Sequence, residues 1–208
     1  MAWQLPTKGE LRLACRRQRQ MIPYGTKVCQ ENLICQSIVN LPQWQSARHI
    51  FAYLATAEEP NLAQLWQNFP HKRWAFPRCA WSSRTLAWHI VDPHHLERQT
   101  ETDRYGIPCP KSDLPTIGIA CADLVLVPTL ACDRKGYRLG YGGGFYDRSL
   151  QDYHGCTVGV VWHQCLLEQL PHDPWDIQLK AVVSDRETLF FDRDFQGEGK
   201  HLPPSRAV

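Results

Sequence analysis

The chain predicts an α/β fold: a mostly parallel central sheet flanked by helices, in a Rossmann-like arrangement. Three observations carry that expectation. Short apolar runs of strand length alternate with segments of helical period along most of the 208 residues, the order that parallel crossovers require. One run, 123–127, is compact and apolar and stops at Pro128, as a strand buried on both faces does. A glycine-rich segment follows that run, at the carboxyl end of a strand, where open α/β sheets bind their ligands.

Each element has its own reason. Thr7 and Glu10 stand three apart ahead of Leu11, Leu13 and Ala14. This capping-box spacing opens a basic, amphipathic helix that runs to about 21 and ends before Pro23. A second helix is expected over 27–39, with Val28, Ile34 and Ile38 as its apolar side. Then a strand is expected at 49–54, a helix at 61–69, and strands at 73–77 and 86–91. Residues 92–122 show little periodicity and contain Pro93, Pro108, Pro110 and Pro115. So long a connection, with only short ordered pieces, is often a functional lid. The buried strand at 123–127 comes next, then the glycine loop, a helix over 144–153, a buried strand at 157–162, and two last strands at 181–184 and 188–191. Residues 1–191 read as a single domain, and 192–208, polar with glycine and proline, as a flexible tail. There is no internal repeat.

Bulk properties narrow the class. A chain of this length can bury roughly 70% of its unfolded surface in one core. The net charge is +2, without the basic stripe of a dedicated nucleic-acid binder. An RNA-binding module resting on the first helix and exposed aromatics is therefore disfavoured, and no nucleic-acid partner is expected. No run reaches the roughly 18 apolar residues of a membrane span, and residues 1–12 lack the apolar region of a secretory signal. The nine cysteines are odd in number and form no Cys-x-x-Cys pair. They read as reduced, mostly buried thiols of a cytoplasmic protein rather than as disulfides or metal ligands. His94 and His95 have no partner at ligand spacing, and His163 with Cys165 lacks a third group to orient a nucleophile.

Residues 136–148 carry the chemistry. They read Gly-Tyr-Arg-Leu-Gly-Tyr-Gly-Gly-Gly-Phe-Tyr-Asp-Arg. Glycine lets backbone N–H groups approach an anion closely, arginine supplies forked donors, and aspartate suits a hard cation. The combination points to a nucleoside triphosphate arriving with its metal. No Gly-Lys-Ser/Thr follows, so this is not a P-loop, and Phe145 stands where a dinucleotide fingerprint needs its third glycine. The first helix has a matching feature. Lys8 and Arg12 lie one turn apart at its start, where cations oppose the helix dipole unless a phosphate shares the space. Glu58-Glu59-Pro60 follows the strand at 49–54 and reads either as favourable acid at a helix start or as a polar anchor for a substrate. Asp176, on the residues alone, reads as a turn residue.

The run Arg138-Leu139-Gly140-Tyr141-Gly142-Gly143-Gly144-Phe145-Tyr146-Asp147-Arg148 resembles the signature of the 5-formyltetrahydrofolate cyclo-ligase family, also called methenyltetrahydrofolate synthetases. The approach Leu126-Val127-Pro128 with 132–136, the Lys8–Arg12 element, Tyr53-Leu54 with Glu59, Gly106-Ile107-Pro108, and Leu170-Pro171 with Asp176 resemble further family segments in the same order, over about 8–190. Two positions depart from the pattern: Cys109 replaces a usual glutamate, and Cys165 a common glutamine. The resemblance implies the phosphosugar-isomerase and CoA-transferase kind of fold and a monomer that acts on a small molecule. It implies ATP- and Mg²⁺-dependent cyclisation of 5-formyltetrahydrofolate to 5,10-methenyltetrahydrofolate, with release of ADP and phosphate. By position, Lys8, Gly9, Glu10, Leu11 and Arg12 would hold the nucleotide together with Arg138, Leu139, Gly140, Tyr141, Gly142, Gly143, Gly144, Phe145 and Tyr146. Arg138 and Tyr146 would act in catalysis. Leu54, Glu59 and the overlapping stretch from Tyr141 to Phe145 would line the folate side, and Asp147 and Asp176 would bind Mg²⁺. The alternative is an ATP-independent isomerase or transferase of related fold that acts on a phosphorylated substrate.

Overall fold

The computed structural model describes residues 6–192; all of the expected tail except Asp192 lies outside them. Helix α1 (Lys8–Gln20) begins at the expected capping box: the Thr7 hydroxyl accepts from the Glu10 N–H, and the Glu10 carboxylate accepts from the Thr7 N–H at 2.8 Å. Helix α2 (Tyr24–Val39) starts three residues before the expected position, directly after Pro23. Proline has no N–H to leave unpaired at a helix start. Ile34 and Ile38 are buried, but Val28 is exposed; six residues before Ile34, it lies round the helix from them. Helix α3 (Pro42–Ser46), too short to show a period, buries Trp44.

The remaining chain builds the sheet. In order come β1 (His49–Phe51), α4 (Ala63–Asn68), β2 (Arg73–Ala80) and β3 (Thr85–Val91). The proline-rich connection holds α5 (Leu96–Gln99), the β4 (Thr100–Thr102) and β5 (Pro108–Pro110) pair, and β6 (Thr116–Ile117). Then follow β7 (Leu124–Pro128), β8 (Ala131–Asp133), β9 (Arg138–Leu139), α6 (Phe145–Leu150), β10 (Cys156–Val160), β11 (Leu166–Leu167), β12 (Ala181–Val183) and β13 (Thr188–Phe190). The main sheet has eight strands in the order β13-β12-β10-β7-β1-β2-β3-β6. The five from β12 to β2 pair in parallel; β13 and β3 run antiparallel to them at the two sides, and β6 pairs antiparallel with β3. The fold is thus mixed α/β with a large central sheet.

Alternation within the strands feeds two cores. Leu124 and Leu126 join Ile50, Trp74, Val158 and Val183 beneath α2, α3 and α4. Val125 and Val127 point the other way, to Phe51, Val182, Cys15 of α1 and Leu150 of α6. From β1 the chain moves outward to β2 and β3, then crosses back to β7 on the other side of β1. The order of strands therefore reverses between β1 and β7, which leaves a crevice beyond their carboxyl ends.

Candidate active site

A cavity of about 1120 Å³ opens at that reversal point, with Tyr53 and Leu54 after β1 and Pro128 at the end of β7 in its wall. The glycine loop forms its floor. The loop is held from below by Asp133, which is fully buried. One Asp133 oxygen accepts from the N–H groups of Lys135 and Tyr137, each at 2.9 Å, and the other from Leu170 N–H at 3.0 Å. Such an aspartate turn replaces the missing backbone pairing of a tight loop. Gly142 (φ +103°) and Gly144 (φ +68°) adopt conformations costly for any residue with a Cβ. Gly144 is the N-cap of α6, and it lines the cavity together with Phe145, Tyr146 and Asp147 of the first turn.

Positive charge converges on the loop from three directions. Lys8, Arg12, Arg138 and Arg148 all line the cavity. Arg12 Nε donates to Gly140 O at 2.8 Å, and Arg148 Nη1 to Gly143 O at 3.0 Å. Arg138 is buried and donates to Asp147 Oδ1 at 2.9 Å, with its guanidinium 5.9 Å from the Tyr146 ring centre. Lys8 Nζ donates to Asp173 at 2.6 Å and to Asp176 at 2.5 Å. Burial pulls the Lys8 ammonium down, but its bonds to these two carboxylates outweigh that and raise its pKa above 10.5. Helix α1 is placed for this by Arg19, whose buried guanidinium donates to the carbonyls of Thr129, Leu130 and Glu58.

Glu59 adds a buried carboxyl to the wall. It is 8% exposed, and its Oε2 accepts from both the N–H and the hydroxyl of Thr56 at 2.9 Å. Burial pushes its carboxyl above the ordinary value of 4.5, and the Thr56 bonds and Arg19 only partly offset this. The Tyr146 hydroxyl is buried with no hydrogen-bond partner among the described residues, and burial raises its pKa well above 10. A buried donor left unpaired is costly, which is a reason to look for a ligand there. Trp81, tilted against Tyr105 with ring centres 4.2 Å apart and edge-to-face with Phe145 at 5.0 Å, forms an aromatic rim.

The cavity brings together Lys8, Arg12, Leu54, Glu59, the whole stretch from Arg138 to Asp147, and Asp176. Gly9, Glu10 and Leu11 do not line it. Gly9 is exposed, Glu10 is spent on the cap, and Leu11 packs into the core. Arg16, one turn after Arg12 on α1, also lines it. Of the two departures from the family pattern, Cys109 is in the wall, whereas Cys165 is buried under α1 near Gln18 and outside it. Sequence reasoning missed Arg19, although its position four residues after Cys15 and eight after Leu11 places it on the buried side of α1. It also missed Asp173, three residues before Asp176, and gave no site role to Arg148, although that residue closes the glycine-rich run. No sequence signal marks Trp81 or Tyr105, which only the tertiary fold delivers.

The donor set suits Mg²⁺. Asp147 and Asp176 offer hard oxygens, and Asp147 Oδ1 also lies 3.4 Å from the N–H of Ile177, next to Asp176. Among the described residues no cluster of three or more His, Cys, Asp or Glu could hold a metal unaided. Mg²⁺ needs only one or two carboxylates when phosphate oxygens and water complete its shell.

The profile of the 5-formyltetrahydrofolate cyclo-ligase family matches residues 4–185. The chain is 41% identical over 95 residues to a 5-formyltetrahydrofolate cyclo-ligase of Escherichia coli (strain K12), covering 44% of this chain and only 52% of that protein; here it spans about half the relative's length. A cyclo-ligase of Haemophilus influenzae is 28% identical over 168 residues, covering 74% of this chain and 84% of its own. The solution structure of Aquifex aeolicus 5,10-methenyltetrahydrofolate synthetase shares the fold, with a TM-score of 0.78 at 24% identity, over 94% of this chain and 96% of that one.

Proposed function

The chain belongs to the 5-formyltetrahydrofolate cyclo-ligase family, and on that premise we propose that it converts 5-formyltetrahydrofolate to 5,10-methenyltetrahydrofolate with consumption of ATP. One observation carries the reading. A positive-φ glycine loop at a helix start, six cationic side chains and the carboxylates of Asp147 and Asp176 line one cavity together with the buried carboxyl of Glu59.

A formamide carbon is a poor electrophile. Transfer of the γ-phosphoryl group of ATP to the formyl oxygen gives ADP and turns that oxygen into a leaving group. The N10 lone pair then attacks the formyl carbon, the C–O bond breaks with loss of phosphate, and the N10 proton is released. Phosphoryl transfer asks mainly for alignment and charge neutralisation. The loop N–H groups from Gly142 to Phe145, with Lys8, Arg12 and Arg138, bind the phosphates. Arg138 is pre-aligned by Asp147, so its fork costs little reorganisation as charge builds up. Tyr146 places its unpaired hydroxyl at the reacting centre beside Arg138. Leu54, Glu59 and Tyr141 position the folate ring. Asp147 and Asp176 would hold Mg²⁺, which when bound polarises the phosphoryl oxygens. No separate base is needed, since N10 is itself the nucleophile.

The same reading extends to the whole chain. Five parallel strands and a crevice at the reversal point support a Rossmann-like sheet of the phosphosugar-isomerase and CoA-transferase kind. We take 1–191 as one domain acting as a monomer on a small molecule. Nine free cysteines support a reducing compartment such as the cytoplasm. An ATP-independent isomerase or transferase is not favoured by the family.

The test is direct. Protein, ATP, Mg²⁺ and 5-formyltetrahydrofolate are mixed, and the near-ultraviolet absorbance of the methenyl product is followed. Product should form only when all four are present. Arg138→Ala and Asp147→Ala should each lower kcat by about 100-fold or more, with a native circular dichroism spectrum. Full Mg²⁺-dependent turnover by Asp147→Ala would remove the metal assignment, and no product from the wild type would remove the reaction.

A further inference from the structure

We infer that the indole of Trp175 is the stacking platform for the nucleobase of the bound nucleotide, an inference that rests on the reading of the cavity as an ATP site. Trp175 is 71% exposed, whereas Trp44, Trp66, Trp74, Trp88 and Trp162 are buried. An indole left in water forfeits the gain that those five make on burial. Yet Trp175 is not a stray surface residue, because it lines the same cavity as the glycine loop.

Its backbone is fixed. The N–H of Asp173 donates to Asp176 Oδ2 at 2.7 Å, and the N–H of Asp176 to Asp173 O at 3.0 Å. Gln178 Nε2 donates to Lys135 O at 2.6 Å, and Leu179 N–H to Gly136 O at 2.9 Å. The turn that presents the ring is thus closed on itself, and its C-terminal end is tied to Lys135 and Gly136, which lead into the loop that would hold the phosphates. A rigid aromatic face loses little entropy when a flat ligand settles on it.

The position selects the base over the folate. Trp175 adjoins Asp176, which holds Lys8, and Ile177, which contacts Asp147. It therefore stands at the polyphosphate end. The proposed folate wall lies elsewhere, where Glu59 and Thr56 bond each other and Tyr141 lies close to both. The other cavity aromatics are already engaged: Trp81 with Tyr105 and Phe145, and Arg104 over both Trp81 and Tyr105. Among the described residues no ring or cation lies over Trp175, so its face is open to a ligand.

Calorimetric titration of the full chain with Mg²⁺-ATP and with Mg²⁺-tripolyphosphate, which lacks a base, tests this. The wild type should bind ATP more tightly than tripolyphosphate. Trp175→Ala should weaken ATP about tenfold, the order of one aromatic–base stack, and leave tripolyphosphate affinity unchanged. Trp175→Phe should recover most of the loss. An alanine variant that binds ATP like the wild type overturns the platform while leaving the ATP site intact. Equal loss for both ligands also overturns it, since that would mark a merely structural role. A wild type that binds neither ligand overturns the ATP reading itself, and the platform with it.

Discussion

Glu59 shows how a single side chain separates binding from stability. Its carboxyl is buried and its pKa is raised above 4.5, so the fold prefers the protonated form. As pH rises from the unfolded value through the folded one, the wild type loses stability that a neutral glutamine would keep. Glu59→Gln should therefore melt at or above the wild-type temperature at pH 7, and the gap should close below about pH 4.5. The same variant should raise the KM for 5-formyltetrahydrofolate by about tenfold, the scale of one hydrogen bond to a charged group. A lower melting temperature at pH 7 with an unchanged KM would make Glu59 a structural residue instead. At this scale the sequence was legible in part. Arg138, Asp147 and Lys8 announce themselves by type and spacing. Arg19 does not, because a buried arginine looks like any other cation until the carbonyls of Thr129, Leu130 and Glu58 are brought to it.

Among the elements, the glycine loop is where backbone conformation decides chemistry. A Cβ at Gly144 would stand 2.7 Å from Arg148 Nη1, but that side-chain end can move; the left-handed backbone at φ +68° cannot. Gly144→Ala should cost about 1–2 kcal/mol in urea unfolding, and Gly144→Asn less, since asparagine tolerates that conformation. Gly140, where a Cβ would meet nothing within 4 Å, should accept alanine with stability unchanged. Equal losses at both positions would mean that strain at Gly144 is not the cause. Periodicity located α1, α4, β7 and β10 to within a few residues. It missed α3, the β4–β5 pair and the small β11-β8-β9 sheet, because elements of two to five residues complete no period. The connection at 92–122 is less irregular than its prolines suggest. Arg78 ties its β4–β5 pair to β2 through Glu101 and Pro110 O, at 2.6 and 2.8 Å.

For the molecule as a whole, one cavity joins segments far apart in sequence: Lys8 and Arg12, Leu54 and Glu59, Tyr105 and Cys109, the glycine loop, and 173–176. A ligand that bridges them should stabilise the entire fold by mass action. At 100 times its Kd, ATP with Mg²⁺ should add about 2.7 kcal/mol, which for a chain of this size raises Tm by roughly 5–10 °C. Differential scanning calorimetry with and without the nucleotide measures this, and an unchanged Tm at saturating ATP would contradict a site assembled from all these segments.

The amino-acid order alone determined the alternation of strand and helix, a buried parallel strand at 123–127 that the structure places one residue later, and the chemical character of 138–148. Those depend on local period, glycine conformation and side-chain type, which are properties of neighbours along the chain. The tertiary structure decided which distant groups meet: that Lys8 faces Asp173 and Asp176, that Cys165 lies outside the cavity while Cys109 lines it, and that Trp175 keeps an open face. Such pairings follow from strand order and crossover, set by how the two cores close over opposite faces of the sheet, and no local spacing encodes them.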